Sequence, residues 1–363
     1  MIILAWSIIG LTILRTAIAL FNLFTRNELS YITCADPPKV SVLIPARNEE
    51  ATLPLLLRDL ENLKNPPFEI WVCDDHSTDG TANILQQFSG TSSRISYFSG
   101  KELPAGWLGK NFACHQLATK AKGDLLLFLD ADVRVSGDAL FKAACQMQQN
   151  NYALLSIFPT QTMKHIGEYL SVPIMNSILL NLLPLPLVRW LSFHSLSAAN
   201  GQFMLFDAAN YHQNGWHSQV RNHSTEDIAI ARLVKKSGGQ MATLLGGKEV
   251  FCRMYQRYDE ALMGFSRNVH HYFGGSRLVM WGYWLAQLLG GLAFTLLWGL
   301  AGLLIWLGLV IINRMAVTLA SRQPMKVIGL TPLHWITLFL LAFKNSLQGI
   351  KKESVWKGRK ISV

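Results

Sequence analysis

Three acidic clusters close three short apolar runs early in the chain: VSVLIPARNEE at 40–50, EIWVCDDHSTDGT at 69–81 and DLLLFLDADV at 124–133. Each run is rich in Val, Ile, Leu or Phe, as a strand buried on both faces of a parallel sheet reads. An open α/β sheet binds its ligand outside the C-terminal ends of such strands. Several carboxylates gathered there suit a metal-bridged, phosphate-bearing substrate.

In Asp130-Ala131-Asp132 the two carboxylates stand two positions apart. On an extended chain they point the same way, so both can address one divalent cation. A hard ion, Mg²⁺ or Mn²⁺, takes oxygen ligands and bridges to a diphosphate. The plain alternative is a strand-end turn with an Asp capping the next segment. In Asp74–Gly80, Asp75 reads as a ligand of a nucleotide base or ribose, and Asp79 as a turn or helix cap. Gly106-Trp107-Leu108-Gly109-Lys110 offers glycines that let backbone approach a phosphate and a helix start beyond them. A cation is unfavourable at a helix start, which favours a ligand role for Lys110 over a merely solvated one. Ser224-Thr225-Glu226-Asp227 is a passable capping box. Its functional reading makes Asp227 a general base that takes a proton from an acceptor hydroxyl. Glu226, Arg253 and Arg257 are candidate contacts to a departing diphosphate or to the acceptor. His212, His217 and His223 lack ligand spacing, though His223 is close enough in sequence to tune Asp227. His270-His271 is assigned no metal.

The elements that must carry these residues alternate. Strands are expected at Val40–Ile44, Glu69–Cys73, Arg94–Phe98 and Leu125–Leu129, and helices at about Ala51–Leu63, Thr81–Phe88 and Lys110–Ala121. Short connections imply right-handed βαβ units, hence an α/β fold with a mostly parallel sheet and helices on both faces. The first βα loop lacks GxGxxG and a P-loop ending, which disfavours a dinucleotide oxidoreductase and a P-loop NTPase. A further helix runs from Thr225 through Leu233 to the stop at Gly238-Gly239, and a strand follows at Met241–Leu245.

Hydrophobic residues make up 50% of the chain and charged residues 15%. That is more apolar than a soluble enzyme of this size usually is. The net charge of +10 is scattered, which suits anionic lipid headgroups and not nucleic acid. The five cysteines lack zinc spacing and are odd in number, so they are expected as reduced thiols facing the cytoplasm. Residues 1–25 read as a retained membrane anchor with Arg15 inside it. Residues 278–312 carry no charge and would make a helix of about 50 Å against about 30 Å of hydrocarbon. Two spans turning near Gly290-Gly291 or Gly299 fit, as does one strongly tilted helix. Val327–Phe343 is a third apolar segment, interrupted by Pro332 and His334. Basic residues flank it on both sides, at Arg314, Arg322 and Lys326 and in the 351–360 tail. Either it is re-entrant or interfacial, or 278–312 crosses once. Tyr169–Val188 holds Pro173, Pro184 and Pro186. It either spans or lies on the membrane surface, and the prolines suit the surface better. The expected domains are the anchor at 1–25, a catalytic domain at 38–260 with an interfacial segment at 169–190, and a membrane region at 261–363 with two to three apolar helices. Trp356-Lys357-Gly358-Arg359 reads as surface anchoring.

PARNEE, DDHSTDGT, DADV and the TED ahead of a helix resemble the inverting, family 2 nucleotide-sugar glycosyltransferases of GT-A fold, over about residues 38–260. LPAGWLGKNFACHQLA, the C-terminal apolar segments and the closing WKGRK are similar to a membrane subgroup. That subgroup includes carotenoid-acid (4,4'-diaponeurosporenoate), chlorobactene and hopanoid-associated glycosyltransferases. The resemblance implies that Pro45, Ala46, Glu49 and Asp75 hold the nucleotide, with Lys110 and Asp130 beside the nucleotide sugar. It implies that Asp130 and Asp132 hold a divalent metal (Mg or Mn) and that Asp227 is the base. The implied reaction moves one sugar, glucose from a UDP-linked donor, to a membrane lipid such as a carotenoid or other terpenoid hydroxyl or carboxyl. The implied location is the inner membrane, multi-pass, with the catalytic domain in the cytoplasm. A polyprenyl-phosphate or glycolipid acceptor is the alternative, and a non-catalytic membrane protein with a nucleotide-binding fold is a further one. Synthases of this class carry QxxRW after the base. Here the corresponding stretch is Arg253-Met254-Tyr255-Gln256-Arg257-Tyr258, which points to a single transfer and away from polymer extension.

Overall fold

Seven apolar runs form one sheet in the computed structural model, which describes residues 1–25, 27–32, 34–351, 353–356 and 359–362. They are β1 (Val40–Ala46), β2 (Glu69–Asp74), β3 (Ile95–Ser99), β4 (Leu125–Leu129), β5 (Leu154–Phe158), β6 (Phe203–Asp207) and β7 (Met241–Leu245). Their spatial order is β3-β2-β1-β4-β6-β5-β7. All pairings are parallel except those of β6, which runs antiparallel to both β4 and β5. The strands read from sequence are therefore present in a mostly parallel sheet. Every residue of β4 is buried, as its unbroken LLLFL run requires. Helix Leu53–Glu61 lays Leu53, Leu56, Leu57 and Leu60 onto the core that holds Val42, Ile44, Leu127 and Leu129. That spacing is the stripe of an amphipathic helix.

The chain forms two compact units. One comprises Glu28–Thr160 and Pro186–Arg253 and contains the sheet; the other comprises Met1–Asn27, Gln161–Leu185 and Met254–Val363 and is largely helical. Where the sequence reads 38–260 as one continuous domain, the chain leaves the sheet unit at Gln161–Leu185. That segment folds as helices Ile166–Ser171 and Pro173–Leu182. Val172 between them is itself helical, at φ −61° and ψ −40°, so the two follow one another with little break. Proline explains the stop: Leu183, ahead of Pro184, is extended at φ −121° and ψ 114°. Asn22 caps it, donating to Leu180 O at 3.0 Å and Leu183 O at 2.9 Å, and accepting from Leu185 N at 2.8 Å.

The cysteine expectation is also corrected. Cys34 and Cys145, separated by 111 residues, are joined in a disulfide, while Cys73, Cys114 and Cys252 are free and buried. Spacing along the chain does not reveal a pair that the fold brings to a Cα–Cα distance of 5.6 Å. The thiols accordingly lend no support to a reducing compartment.

In the helical unit, Ile2–Phe24 and Arg277–Ala320 are the two helices, among the described residues, long and apolar enough to cross a membrane. The second is broken at Gly299, whose φ of 59° and ψ of −142° lie outside the helical region. The chain reverses there. A Cβ on Gly302 would collide with the Phe294 carbonyl, and one on Gly290 with the Trp306 indole, so residues on either side of the break are in contact. Gly302→Val is therefore expected to force the arms apart and lower the yield of monodisperse protein. Gly308→Val, with nothing within 4 Å, is the matched control and should leave it unchanged. Size-exclusion chromatography of both variants checks this. Near the C-terminus Glu353–Trp356 pairs antiparallel with Arg359–Ser362; Lys357 and Gly358 of the anchoring motif lie outside the described residues.

Candidate active site

The order of the sheet fixes where a ligand can bind. From β1 the chain moves outward through β2 and β3, then returns to place β4 on the other side of β1. The switch point lies between the C-terminal ends of β1 and β4. Pro45 and Ala46 end β1 and Glu49 follows. Asp74 ends β2 and Asp75 follows, and Asp130 to Asp132 come directly after β4.

The loops after β1 and β2 are laced into one surface. Asp75 N donates to Ala46 O at 2.8 Å, and Arg47 Nη1 donates to the carbonyls of Asp75 at 2.5 Å and His76 at 3.2 Å. Asn48, at φ 54°, accepts from Thr78 N at 2.8 Å and donates its own N–H to Ser77 Oγ at 3.0 Å. Asn is among the few residues that tolerate this left-handed conformation. The Asp75 side chain is buried within this lacing. Asp79 takes the structural role: it accepts from Thr81 N at 3.0 Å, Thr81 Oγ1 at 2.6 Å and Glu50 N at 3.2 Å, at the start of helix Thr81–Thr91. Burial works against its charge, but the hydrogen bonds from Thr81 and Glu50 hold the carboxyl below the usual carboxylate range.

The second half of the site is a carboxylate cluster around one ammonium. Lys110, in the first turn of helix Gly109–Ala118, contacts both Asp130 oxygens at 2.9 and 3.0 Å and Glu226 Oε1 at 3.1 Å. Burial opposes its charge, yet Asp130 and Glu226 raise its pKa well above the ordinary lysine value. The sequence assigns Lys110 to the nucleotide sugar; in the fold its ammonium is held by protein carboxylates. Burial, and then the charges of Asp130 and Glu49, push the Asp132 carboxyl up to about 6. The Glu49 contribution joins the β1 loop to the β4 loop across the switch point.

Asp227 is the second residue of helix Glu226–Lys236, whose N-cap Thr225 makes no side-chain cap bond. The cap position falls on Thr225 and not on Ser224, one residue later than the Ser224-to-Asp227 capping box needs. Instead the Asp227 carboxylate accepts from Gly201 N at 3.0 Å and Ile228 N at 2.8 Å. Burial, followed by the neighbouring charge of Glu226, pushes it up to about 7, despite those bonds and Lys110. A carboxylate poised there accepts a proton near neutral pH.

Two residues absent from the sequence reading belong here. Gly201 donates to Asp227, and a Cβ on it would stand 3.0 Å from both Glu226 Oε1 and Lys110 Nζ. Gln202 is buried, reaches Asp132 at 3.4 Å and Cys252 Sγ at 2.9 Å through Nε2, and leaves Oε1 without a partner. The available signal was Asn200-Gly201-Gln202 directly before the apolar run of β6.

The remaining candidates divide. Arg253 follows the short strand Val250–Cys252 in the sheet unit. Arg257 lies in the helical unit, exposed and forked onto Asp259 at 3.1 Å through two bonds. His217 is a core residue bonded to Tyr211 OH at 2.7 Å, and burial and then Lys110 drive it down to about 3. His223 and His212 are exposed.

The donor set at Asp130 and Asp132 is all oxygen, as a hard divalent cation requires. Among the described residues no three His, Cys, Asp or Glu side chains come together as a complete metal site. That fits an ion held by one or two carboxylates with substrate phosphates and water completing the shell. The clustered carboxylates and the orphaned Gln202 Oε1 beside Asp132 are consistent with such an ion.

The mannosyltransferase PcManGT from Pyrobaculum calidifontis, solved with GDP-Man and Mn²⁺, is similar over 95% of this chain and 99% of its own, with TM-score 0.53 and 14% identity. At that identity the likeness is one of fold. The chain has the GT-A glycosyltransferase fold. Residues 41–206 match the family model described as glycosyl transferase family 2, so the chain carries a glycosyltransferase domain of that family. A 4,4'-diaponeurosporenoate glycosyltransferase of Staphylococcus haemolyticus is 29% identical over 225 residues, 60% of this chain and 57% of that protein. A beta-monoglucosyldiacylglycerol synthase of Nostoc sp. is 30% identical over 122 residues, 33% of this chain and 26% of that protein. The match thus spans little more than half the length of the first relative and about a quarter of the second.

Proposed function

We propose that this protein transfers a single sugar, with inversion, from a nucleotide sugar to a membrane lipid. The observation that carries the reading is the Asp227 carboxylate, fixed by two backbone N–H groups beside the carboxylate cluster and pushed up to about 7. The nucleotide would lie against the laced β1 and β2 loops, with Pro45, Ala46, Glu49 and Asp75 as the residues expected to hold it. Asp130 and Asp132 would hold a divalent metal on the donor diphosphate, where it offsets the charge on the departing nucleoside diphosphate. The acceptor oxygen attacks the anomeric carbon as the bond from that carbon to the diphosphate oxygen breaks. Asp227 takes the proton of an acceptor hydroxyl; a carboxylate acceptor needs no such help. The two apolar helices and the names of the relatives support a lipid acceptor at the membrane, a carotenoid or other terpenoid before a glycolipid. UDP-glucose is the donor we expect.

The test supplies solubilised protein with a panel of nucleotide sugars, total membrane lipid, and Mg²⁺, Mn²⁺ or EDTA. Nucleoside diphosphate release should require both lipid and metal. Asp132→Ala is expected to lower it by roughly 10²-fold or more. Equal release with EDTA would remove the metal from the reading.

A further inference from the structure

We propose that the helical unit contains a binding site for the acidic head of an amphiphile, with Arg15 and Arg314 as its cations. Both arginines line one cavity, together with Ser177, Asn181, Asn313 and His334. Arg15 lies within the apolar helix Ile2–Phe24, and Arg314 lies in the arm beyond Gly299. Ionisable groups in such helices are costly, and they are retained where they meet a partner or a ligand.

No protein anion answers them. The cavity lining contains neither Asp nor Glu among the described residues. Arg314 is 6% exposed, donates through Nη1 to Ser177 Oγ and through Nη2 to His334 Nδ1 at 2.9 Å, and leaves Nε without a partner. His334 Nε2 donates to Tyr169 O at 2.8 Å, so the ring is a neutral acceptor towards Arg314 and contributes no negative charge. Arg15 also leaves a buried Nε unpaired and stacks its guanidinium over the Tyr283 ring at 5.2 Å. Two guanidinium groups with free donors in one cavity suit a carboxylate or phosphate, which the planar fork binds well. Asn313 Oδ1, also buried without a partner, can accept from a water or hydroxyl beside that anion.

The rest of the lining indicates what carries the anion. Ile174, Ile178, Val310 and Leu338 share the cavity, and Ile13 and Leu14 beside Arg15 are more than half exposed. A small inorganic anion would leave that apolar surface wet. An acid on a hydrocarbon chain fills it. The carrier can be the acceptor itself or a membrane phospholipid, since both present the same chemistry.

The inference is independent of catalysis and is read by binding. Full-length protein in a neutral detergent is titrated with oleate, methyl oleate, dioleoyl phosphatidate and dioleoylglycerol, with bound lipid counted by native mass spectrometry. Oleate or dioleoyl phosphatidate should bind at least about tenfold more tightly than its uncharged counterpart, as charge-assisted bidentate bonds imply. A preference confined to phosphatidate identifies a phospholipid site; one confined to oleate, or shared by both, fits a carboxylate-bearing lipid as well. Arg15→Gln should abolish the preference while leaving the melting temperature within a few degrees of wild type, because the Arg15 guanidinium contacts the Tyr283 ring and leaves its buried Nε unpaired. Arg314→Lys, which keeps charge but loses the fork, should weaken it. Equal binding of acid and ester by the wild type, or an undiminished preference in both variants, would overturn the proposal.

Discussion

Asp227→Asn is expected to lower sugar transfer by roughly 10²–10⁴-fold, the usual contribution of a general base, while leaving nucleoside diphosphate affinity unchanged. The substitution preserves shape and keeps an acceptor for one of the two backbone N–H groups, which bond different carboxylate oxygens, so a loss of rate without a loss of nucleoside diphosphate binding isolates the proton transfer. The pH dependence carries the sign. Asp227 accepts a proton only when ionised, and its carboxyl sits at about 7. Wild-type rate on a hydroxyl acceptor should climb through pH 7 and level off above it. Glu226→Gln removes a neighbouring negative charge that raises Asp227, so the rise should move to lower pH. Stability runs the other way. A carboxyl raised from 3.8 to about 7 by folding contributes stability fully present below pH 4 and lost as pH rises through 7. Asp227→Asn should therefore melt higher than wild type at pH 8, by a margin that shrinks towards pH 4. A rate profile flat across pH 7 together with an unchanged melting temperature would remove Asp227 from the mechanism.

The half of this site that lies on β1, β2 and β4 was legible because parallel strands buried on both faces leave an unbroken apolar run. Their C-terminal ends then announce themselves by a change to Asp, Glu and Gly. Asp75, Asp130 and Asp132 fall at such changes, and Asp227 falls at a helix start marked by Ser, Thr and acids. What escaped is what depends on partners distant in sequence. Gly201 and Gln202 act through contacts to Asp227 and Asp132 and carry no ionisable group. Lys110 has the composition of a phosphate ligand, and only the fold shows Asp130 and Glu226 around it. The antiparallel β6 has the same apolar composition as its parallel neighbours, so its direction is set by the chain's return path. The excursion at Gln161–Leu185 is equally silent, because a helix buried among other helices and one lying on a membrane share an apolar pattern.

Lys110→Met is the second large effect. The ammonium ties the end of β4 to the first turn of the helix that carries the base, through Asp130 and Glu226. Glu226 is buried, so removing its partner leaves an uncompensated charge, a loss of about 2–4 kcal/mol once partial solvent access is allowed for. Lys110 also lowers Asp227, so its removal should carry the rise of the transfer rate above pH 7 and depress activity most at neutral pH. A direct phosphate ligand would behave differently: its loss would raise the donor's KM and leave the pH profile in place. Adding Glu226→Gln discriminates further. If the pair is the tie, the double variant recovers part of the melting temperature lost by Lys110→Met, since the stranded charge is gone. If the two losses simply add, Lys110 acts elsewhere, and the site must bind its donor with a cation that the carboxylates do not hold.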